Sequence, residues 1–199
     1  MLPVRYSADI TAGSLKPAES RLISGLLLNG LSGSPLDQFV VAENLFKFSR
    51  RATTARLARL IRKRLEPMGP DLWRLVEQGS GTVCSHALMA AAVLHSRLLA
   101  DFLDLVVRDQ FQRFGTTLPK RLWDEYLVDC RGRDAGVSAW TDSTCRKCGT
   151  VVYHMLAQAG YISDCRSLKL QRVHVASEVA EWLRSNGHAQ VLRCMEVTR

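Results

Sequence analysis

The spacing of apolar residues along the chain predicts a protein made almost entirely of α-helices. Apolar positions recur every three or four residues, which is the period of a helix with one buried face. Prolines and glycines divide this pattern into short segments. We therefore predict a mainly α fold with helices over residues 17–28, 35–46, 50–66, 70–78, 119–130, 143–159 and 176–186.

Residues 82–114 form the most apolar helical stretch of the chain. Their apolar positions surround the helix instead of following one side, which predicts that other helices pack around it. We expect one long helix, or two helices separated by a kink. It would be a central strut over residues 81–116, between an N-terminal unit (1–80) and a C-terminal unit (117–199).

The order of elements suggests a nucleic-acid-binding fold in each unit. The N-terminal unit has two helices joined by a turn and then a basic helix, the order of a helix-turn-helix. In the C-terminal unit, helix 143–159 is followed by a partly alternating segment that predicts strands. This order is typical of a winged helix, with a small β-hairpin over 163–172 as its wing.

Positive charge is concentrated on helix 50–66. Residues 47–74 contain nine Lys or Arg and two acids, which gives this segment seven of the chain's eight formal positive charges. A solvated helix face usually alternates Glu with Lys, so we favour a nucleic acid as partner over a simple solvated face. Arg64 lies among the apolar positions, and we expect its side chain to extend to water. The candidate DNA contacts are Arg50, Arg51, Arg56, Arg59, Arg62 and Lys63.

A second, thinner set of candidate DNA contacts lies in the C-terminal unit. Hydroxyls at the start of helix 143–159 could donate to a phosphate, and basic side chains follow on this helix and on the predicted wing. The residues are Ser143, Thr144, Arg146, Lys147, Lys169 and Arg172.

No pattern of catalytic residues is present, so we predict a protein that is not an enzyme and has no small-molecule substrate or cofactor. The chain lacks the glycine loops that bind nucleotide phosphates. Cys145 and Cys148 have zinc-like spacing, but a four-ligand site would also need His154 and Cys165. Two cysteines packed in a helix are the better interpretation, and we expect no metal.

The sequence also predicts a cytoplasmic protein that does not enter a membrane. The first residues lack the apolar core of a signal peptide. Charged residues interrupt the most apolar stretch too often for a transmembrane helix. The six cysteines are then expected to be reduced thiols.

Several short motifs stand out in their order along the chain: residues 6–14, 19–23, 52–56, 62–65 and 98–102, and the spacing of Trp140, Ser143, Thr144 and Lys147. In this order they resemble the BrxA family of bacterial BREX phage-defence systems. The resemblance implies an all-helical DNA-binding accessory protein that works alongside other BREX components. The family has also been likened to the NusB antitermination fold, which binds RNA.

Charge pattern and resemblance together predict a protein that binds double-stranded DNA mainly through backbone phosphates, with weak sequence preference. Two alternatives stay open at this stage. One is an RNA-binding module of the NusB type, which the same basic helix would serve. The other is an assembly scaffold whose basic face binds an acidic protein.

Overall fold

The computed structural model describes residues 5–198, and most of these residues are helical. The mainly α prediction is therefore confirmed. The α-helices of this range are α1 (Pro17–Leu28), α2 (Gly33–Ala42), α3 (Arg51–Leu65), α4 (Gly69–Gln78), α5 (Gly81–His95), α6 (Arg97–Phe102), α7 (Arg108–Gln112), α8 (Arg121–Arg133), α9 (Asp142–Gln158), α10 (Ser177–Ser185) and α11 (Ala189–Met195).

Helix α5 lies at the centre of the fold. It contacts α1, α3 and α4 from the N-terminal part of the chain and α10 and α11 from the C-terminal part. Every side chain from Ala87 to Val93 is buried, as the breadth of its apolar positions predicted. Four alanines in this run allow the surrounding helices to approach closely.

The apolar stretch breaks at Ser96, so the kinked alternative is the one observed. Ser96 has extended backbone angles, and its hydroxyl accepts a hydrogen bond from the Leu99 N–H at 3.4 Å. The chain then continues through α6, a π-helical turn over Leu103–Val107, and α7 without another break. Buried side chains from both sides of Ser96 belong to one connected core.

The N-terminal segment before α1 connects distant parts of the molecule. A 3-10 helix over Asp9–Ala12 contacts both α3 and α9. The Leu15 N–H donates to Gln158 Oε1 at 3.0 Å, and the Tyr6 hydroxyl donates to Asp101 at 2.9 Å. This segment therefore forms part of the packing beneath both candidate DNA-binding helices.

The predicted β-hairpin is not formed by residues 163–172. Asp164 accepts hydrogen bonds from the backbone N–H groups of Arg166 and Ser167, which closes a tight turn. Leu168 then adopts a left-handed conformation with φ of 54°, which interrupts the alternation that strands need. Only two isolated antiparallel bridges occur here, Thr117 with Lys169 and Ile162 with Leu170.

Within residues 5–198, five helices end in the same way. One residue adopts the left-handed conformation, and the backbone N–H of the next residue donates a hydrogen bond to the carbonyl five residues before it. Glycine is the usual residue at such an end because it has no Cβ to clash. The left-handed residues are Gly30, Asn44, Phe114, Gly160 and Gly187.

Candidate nucleic-acid interface

Helix α3 has one face in the core and one face in solvent. Its apolar side, which includes Leu57 and Ile61, is buried against neighbouring helices. Arg56, Arg59 and Lys63 lie on the opposite side and are exposed, at the spacing of successive helical turns. Arg50 and Arg51 are also exposed, at the start of the helix. We call these five residues the α3 basic face.

Arg62, predicted as a DNA contact, is instead engaged by two carboxylates. Its guanidinium forms a two-point contact with Asp37 of α2, with both N–O distances at 2.9 Å, and donates to Glu66 at 2.7 Å. The hydrogen bonds to these two carboxylates raise the pKa of Arg62 above its ordinary value. The side chain is only 13% exposed, so Arg62 holds α2 against α3 and is not available to bind phosphate.

The expectation that Arg64 extends to water was wrong. The residue is buried, and its guanidinium donates to the backbone carbonyls of Ser14 at 2.9 Å and Gly13 at 3.2 Å. Burial lowers its pKa to about 10, and the negative charge of Asp9 partly opposes this shift. Arg64 therefore stays charged at neutral pH and attaches the N-terminal segment to α3.

Few acidic side chains pair with the cations of the α3 basic face. Within residues 5–198, Arg50, Arg51, Arg56 and Lys63 form no ion pair, and Arg59 has only a 4.0 Å contact with Asp37. The exposed Lys47, which the sequence-based set of contacts omitted, lies shortly before this helix and also has no ion pair in that range. The sequence did contain a signal for Lys47, namely the high density of positive charge over residues 47–74. Helical periodicity alone missed it, because it places Lys47 outside the helix.

The second candidate set begins at the N-terminus of α9. The helix is capped by Thr141, whose hydroxyl accepts the Thr144 N–H at 3.2 Å and lies 2.9 Å from the Ser143 hydroxyl. The predicted phosphate donors are thus already hydrogen-bonded within the turn. Arg146 and Lys147 are exposed on the first half of the helix.

Three of the four basic residues of this second set line depressions, and these depressions are two different ones. Arg146 lines a cavity of about 330 Å³ between α8 and α9, together with Lys120 and Asp124. Lys169 and Arg172 line a groove of about 420 Å³ beside the end of α7. The structure therefore does not bring Arg146 and Lys169 together in one cavity.

The cysteine pair is part of the core. Cys145 and Cys148 are both buried, and burial raises the pKa of the Cys148 thiol to about 12. Cys165 lies elsewhere, with its sulfur 3.6 Å from His154 Nδ1. Across residues 5–198 no three potential ligands are close enough to hold a metal ion. The pair therefore contributes packing to α9.

Comparison with known proteins gives one consistent family. The BrxA family model matches residues 4–187. The chain belongs to the BrxA family. The BREX protein BrxA of Paramagnetospirillum magneticum is 46% identical over 198 residues, with all of both chains covered. That of Escherichia coli is 30% identical, covering 98% of this chain and 91% of the relative. The chain is thus a BREX-system protein with a role in phage defence, and these BrxA relatives bear no enzyme name.

A solved structure shares both the sequence similarity and the fold. The crystal structure of an uncharacterized protein from Magnetospirillum magneticum has 46% sequence identity and a TM-score of 0.89. The match covers 98% of this chain and all of that one. Between residues 5 and 198, no helix of this BrxA family member combines the length and apolarity needed to cross a membrane.

Proposed function

We propose that this BrxA protein is a non-enzymatic accessory protein that binds duplex DNA through backbone phosphates, with the α3 basic face as the main contact. The observation that supports this function is the nearly unneutralised row of exposed cations on α3. Cations packed at this density repel one another unless an anion binds them.

Phosphate binding by α3 explains why the cations are bare and regularly spaced. Arg56, Arg59 and Lys63 recur once per turn on one side of a rigid helix, and small residues such as Ala52 and Ala55 lie beside them. Small neighbours let a helix backbone approach a phosphate row closely. Contacts to phosphates carry little sequence information, so weak sequence preference is expected.

The region around α9 supplies a second, smaller contribution in this proposal. Ser143, Thr144, Arg146 and Lys147 lie at or near the start of α9, and Lys169 and Arg172 lie on the 163–172 segment. Each of the four basic side chains is exposed and would add one phosphate contact if the DNA reaches it. Other BREX components are the expected protein partners.

A salt series tests the phosphate mechanism directly. About five phosphate contacts give a slope of about −4.5 for log K against log salt, so affinity should fall about 500-fold between roughly 50 and 200 mM. Fluorescence anisotropy with labelled duplex DNA would measure this slope. Affinity that does not change with salt would contradict the proposal, and tighter binding to structured RNA of equal length would favour the RNA alternative.

A further inference from the structure

Phe114 is the exception among the five left-handed helix ends. At the other four ends the left-handed residue is Gly or Asn, the types that tolerate this conformation best. Phe114 has φ of 58° although its Cβ makes this conformation unfavourable. The hydrogen bonds of the turn are complete, from the Phe114 N–H to Phe111 O at 3.1 Å and from the Gly115 N–H to Gln110 O at 2.8 Å.

The side chain of Phe114 makes few contacts with the folded protein. It is 90% exposed, the highest value among the large apolar residues of the described chain. At the four other ends the residue after the left-handed position is at least partly buried, and Tyr161 is completely buried. Here the order is reversed, with the aromatic residue at the strained position and Gly115 after it. A residue that costs stability and buries almost no surface indicates a role in binding.

The surroundings of Phe114 favour an anionic partner. The ring borders the groove of about 420 Å³ whose charged lining residues are Lys169 and Arg172, both cations. Thr116 and Thr117 add hydroxyl groups, and no carboxylate lines this groove. An apolar side chain projecting beside cations and hydroxyls matches a DNA surface, where bases lie between phosphate rows.

From this combination, and resting on the DNA-binding function proposed above, we infer that Phe114 is a wedge that inserts between stacked bases while Lys169 and Arg172 bind the adjacent phosphates. Proteins that insert an apolar side chain at a base step partly unstack it and kink the duplex. The rigid left-handed turn holds the ring away from the protein surface, so no rearrangement is needed before insertion. The 163–172 segment then supports a wedge and is not itself a hairpin wing.

The test uses the full chain and a short duplex with one central TA step, the kind of step that is most easily unstacked. End-to-end fluorescence energy transfer measures bending, and 2-aminopurine at the step reports unstacking. We expect the natural chain to kink the duplex by at least about 20° and to brighten the 2-aminopurine signal. A duplex with a mismatch at this step should bind about tenfold more tightly, because it is already partly unstacked.

Two substitutions remove the ring without harming the turn, F114G and F114N. Both should abolish the bending, the 2-aminopurine signal and the mismatch preference, while the salt slope set by α3 stays unchanged. The melting temperature of F114G should rise by about 2–4 °C because the left-handed strain is relieved. The matched control is V128A, which truncates another apolar residue that is 61% exposed and should change none of these readouts.

The outcomes separate this inference from the proposed function. If F114G and F114N bend and unstack DNA like the natural chain, the wedge is overturned while DNA binding stands. A fall in the melting temperature of F114G would show that the ring stabilises the fold, and this would also overturn the inference. If the natural chain binds no DNA even at low salt, both the wedge and the proposed function fail.

Discussion

Helix α3 and the region around α9 both present cations to solvent, but the acids near them are arranged differently. Two carboxylates beside α3, Asp37 and Glu66, are engaged by Arg62, which leaves the α3 basic face nearly unneutralised. Around α9, Asp124 lines the same cavity as Arg146, and Asp142 lies in the first turn of the helix. The local electrostatic potential therefore depends on how acids are paired as well as on how many cations there are.

This difference gives each region a distinct expected role. Unneutralised cations on a straight helix suit strong binding that does not depend on sequence. In the region around α9, Arg146 shares its cavity with Asp124, whereas Lys169 and Arg172 lie beside the exposed ring of Phe114. Cations in such mixed surroundings suit contacts that depend on DNA shape. Substitutions in the two regions should therefore change different properties of the complex.

The largest effect is expected from R56A, R59A and K63A combined in one chain. Loss of three phosphate contacts should reduce affinity a few hundredfold at about 0.1 M salt and reduce the salt slope by about 2.7. The control triple R74A, R121A and R184A removes the same charge from exposed arginines that are ion-paired elsewhere. Both triples should keep the helical circular dichroism signal. Equal affinity losses in the two triples would show that net charge, and not the α3 basic face, determines binding.

A smaller effect on binding is expected from R146A, K147A and K169A combined. Because Arg146 and Lys169 line separate depressions, we expect the three side chains to supply about one phosphate contact in total, so affinity should fall about tenfold. The same anisotropy series measures it. An affinity loss as large as that of the α3 triple would remove the distinction between the two regions.

Arg64 tests whether all the arginines of α3 serve binding. R64M should lower stability by about 1–3 kcal/mol, because the carbonyls of Gly13 and Ser14 lose their buried donor. DNA affinity, measured well below the melting temperature, should stay within about twofold of the natural chain. Chemical denaturation and anisotropy on the same preparation provide both numbers. Unchanged stability together with weaker binding would reverse the assignment.

The smallest effect is expected on the stability of the fold in acid, through Asp9 in the N-terminal segment that packs against α3 and α9. The hydrogen bond from His95, 2.8 Å long, lowers the pKa of Asp9 below its ordinary 3.8. A lowered carboxyl pKa adds stability above that ordinary value, and this stability is lost as pH falls through the lowered pKa. The partly exposed pair should contribute less than about 1 kcal/mol.

Urea unfolding of D9N between about pH 7 and pH 3 measures this contribution. D9N should be slightly less stable than the natural chain at neutral pH, and the difference should shrink as the pH falls below 3.8. D71N, which alters an exposed pair with Arg74 on α4, is the matched control. A difference for D9N that grows on acidification would contradict the sign of the shift.

Sequence periodicity was sufficient for the helices because their apolar faces and their proline and glycine boundaries are local features. It predicted that helix 50–66 has an apolar side, on which Leu57 and Ile61 lie, and a basic side with Arg56 and Lys63. Periodicity also placed Arg64 on the inner side, but its acceptors lie 50 and 51 residues away along the chain, and no local pattern reports them.

The remaining features depended on contacts or conformations that sequence patterns report poorly. Arg62 looked like its exposed neighbours because Asp37, its main partner, is 25 residues distant. The predicted hairpin failed since the carboxylate of Asp164 and the left-handed Leu168 create a turn inside an alternating stretch. The sequence did contain a signal for Phe114: this helix ends in Phe-Gly, whereas glycine would be expected at the left-handed position that Phe114 occupies.

The position of the Asp9–Ala12 turn between α3 and α9 has a consequence for the order of events during synthesis. α3 lies within the first third of the chain, but its buried Arg64 needs acceptors in a segment that also packs on α9. Residues up to Gln158 must therefore leave the ribosome before the N-terminal segment can pack against both α3 and α9. Closing so long a loop is slow relative to local helix formation. We expect α3 to reach its final packing only near the end of translation, so that incomplete nascent chains bind DNA poorly.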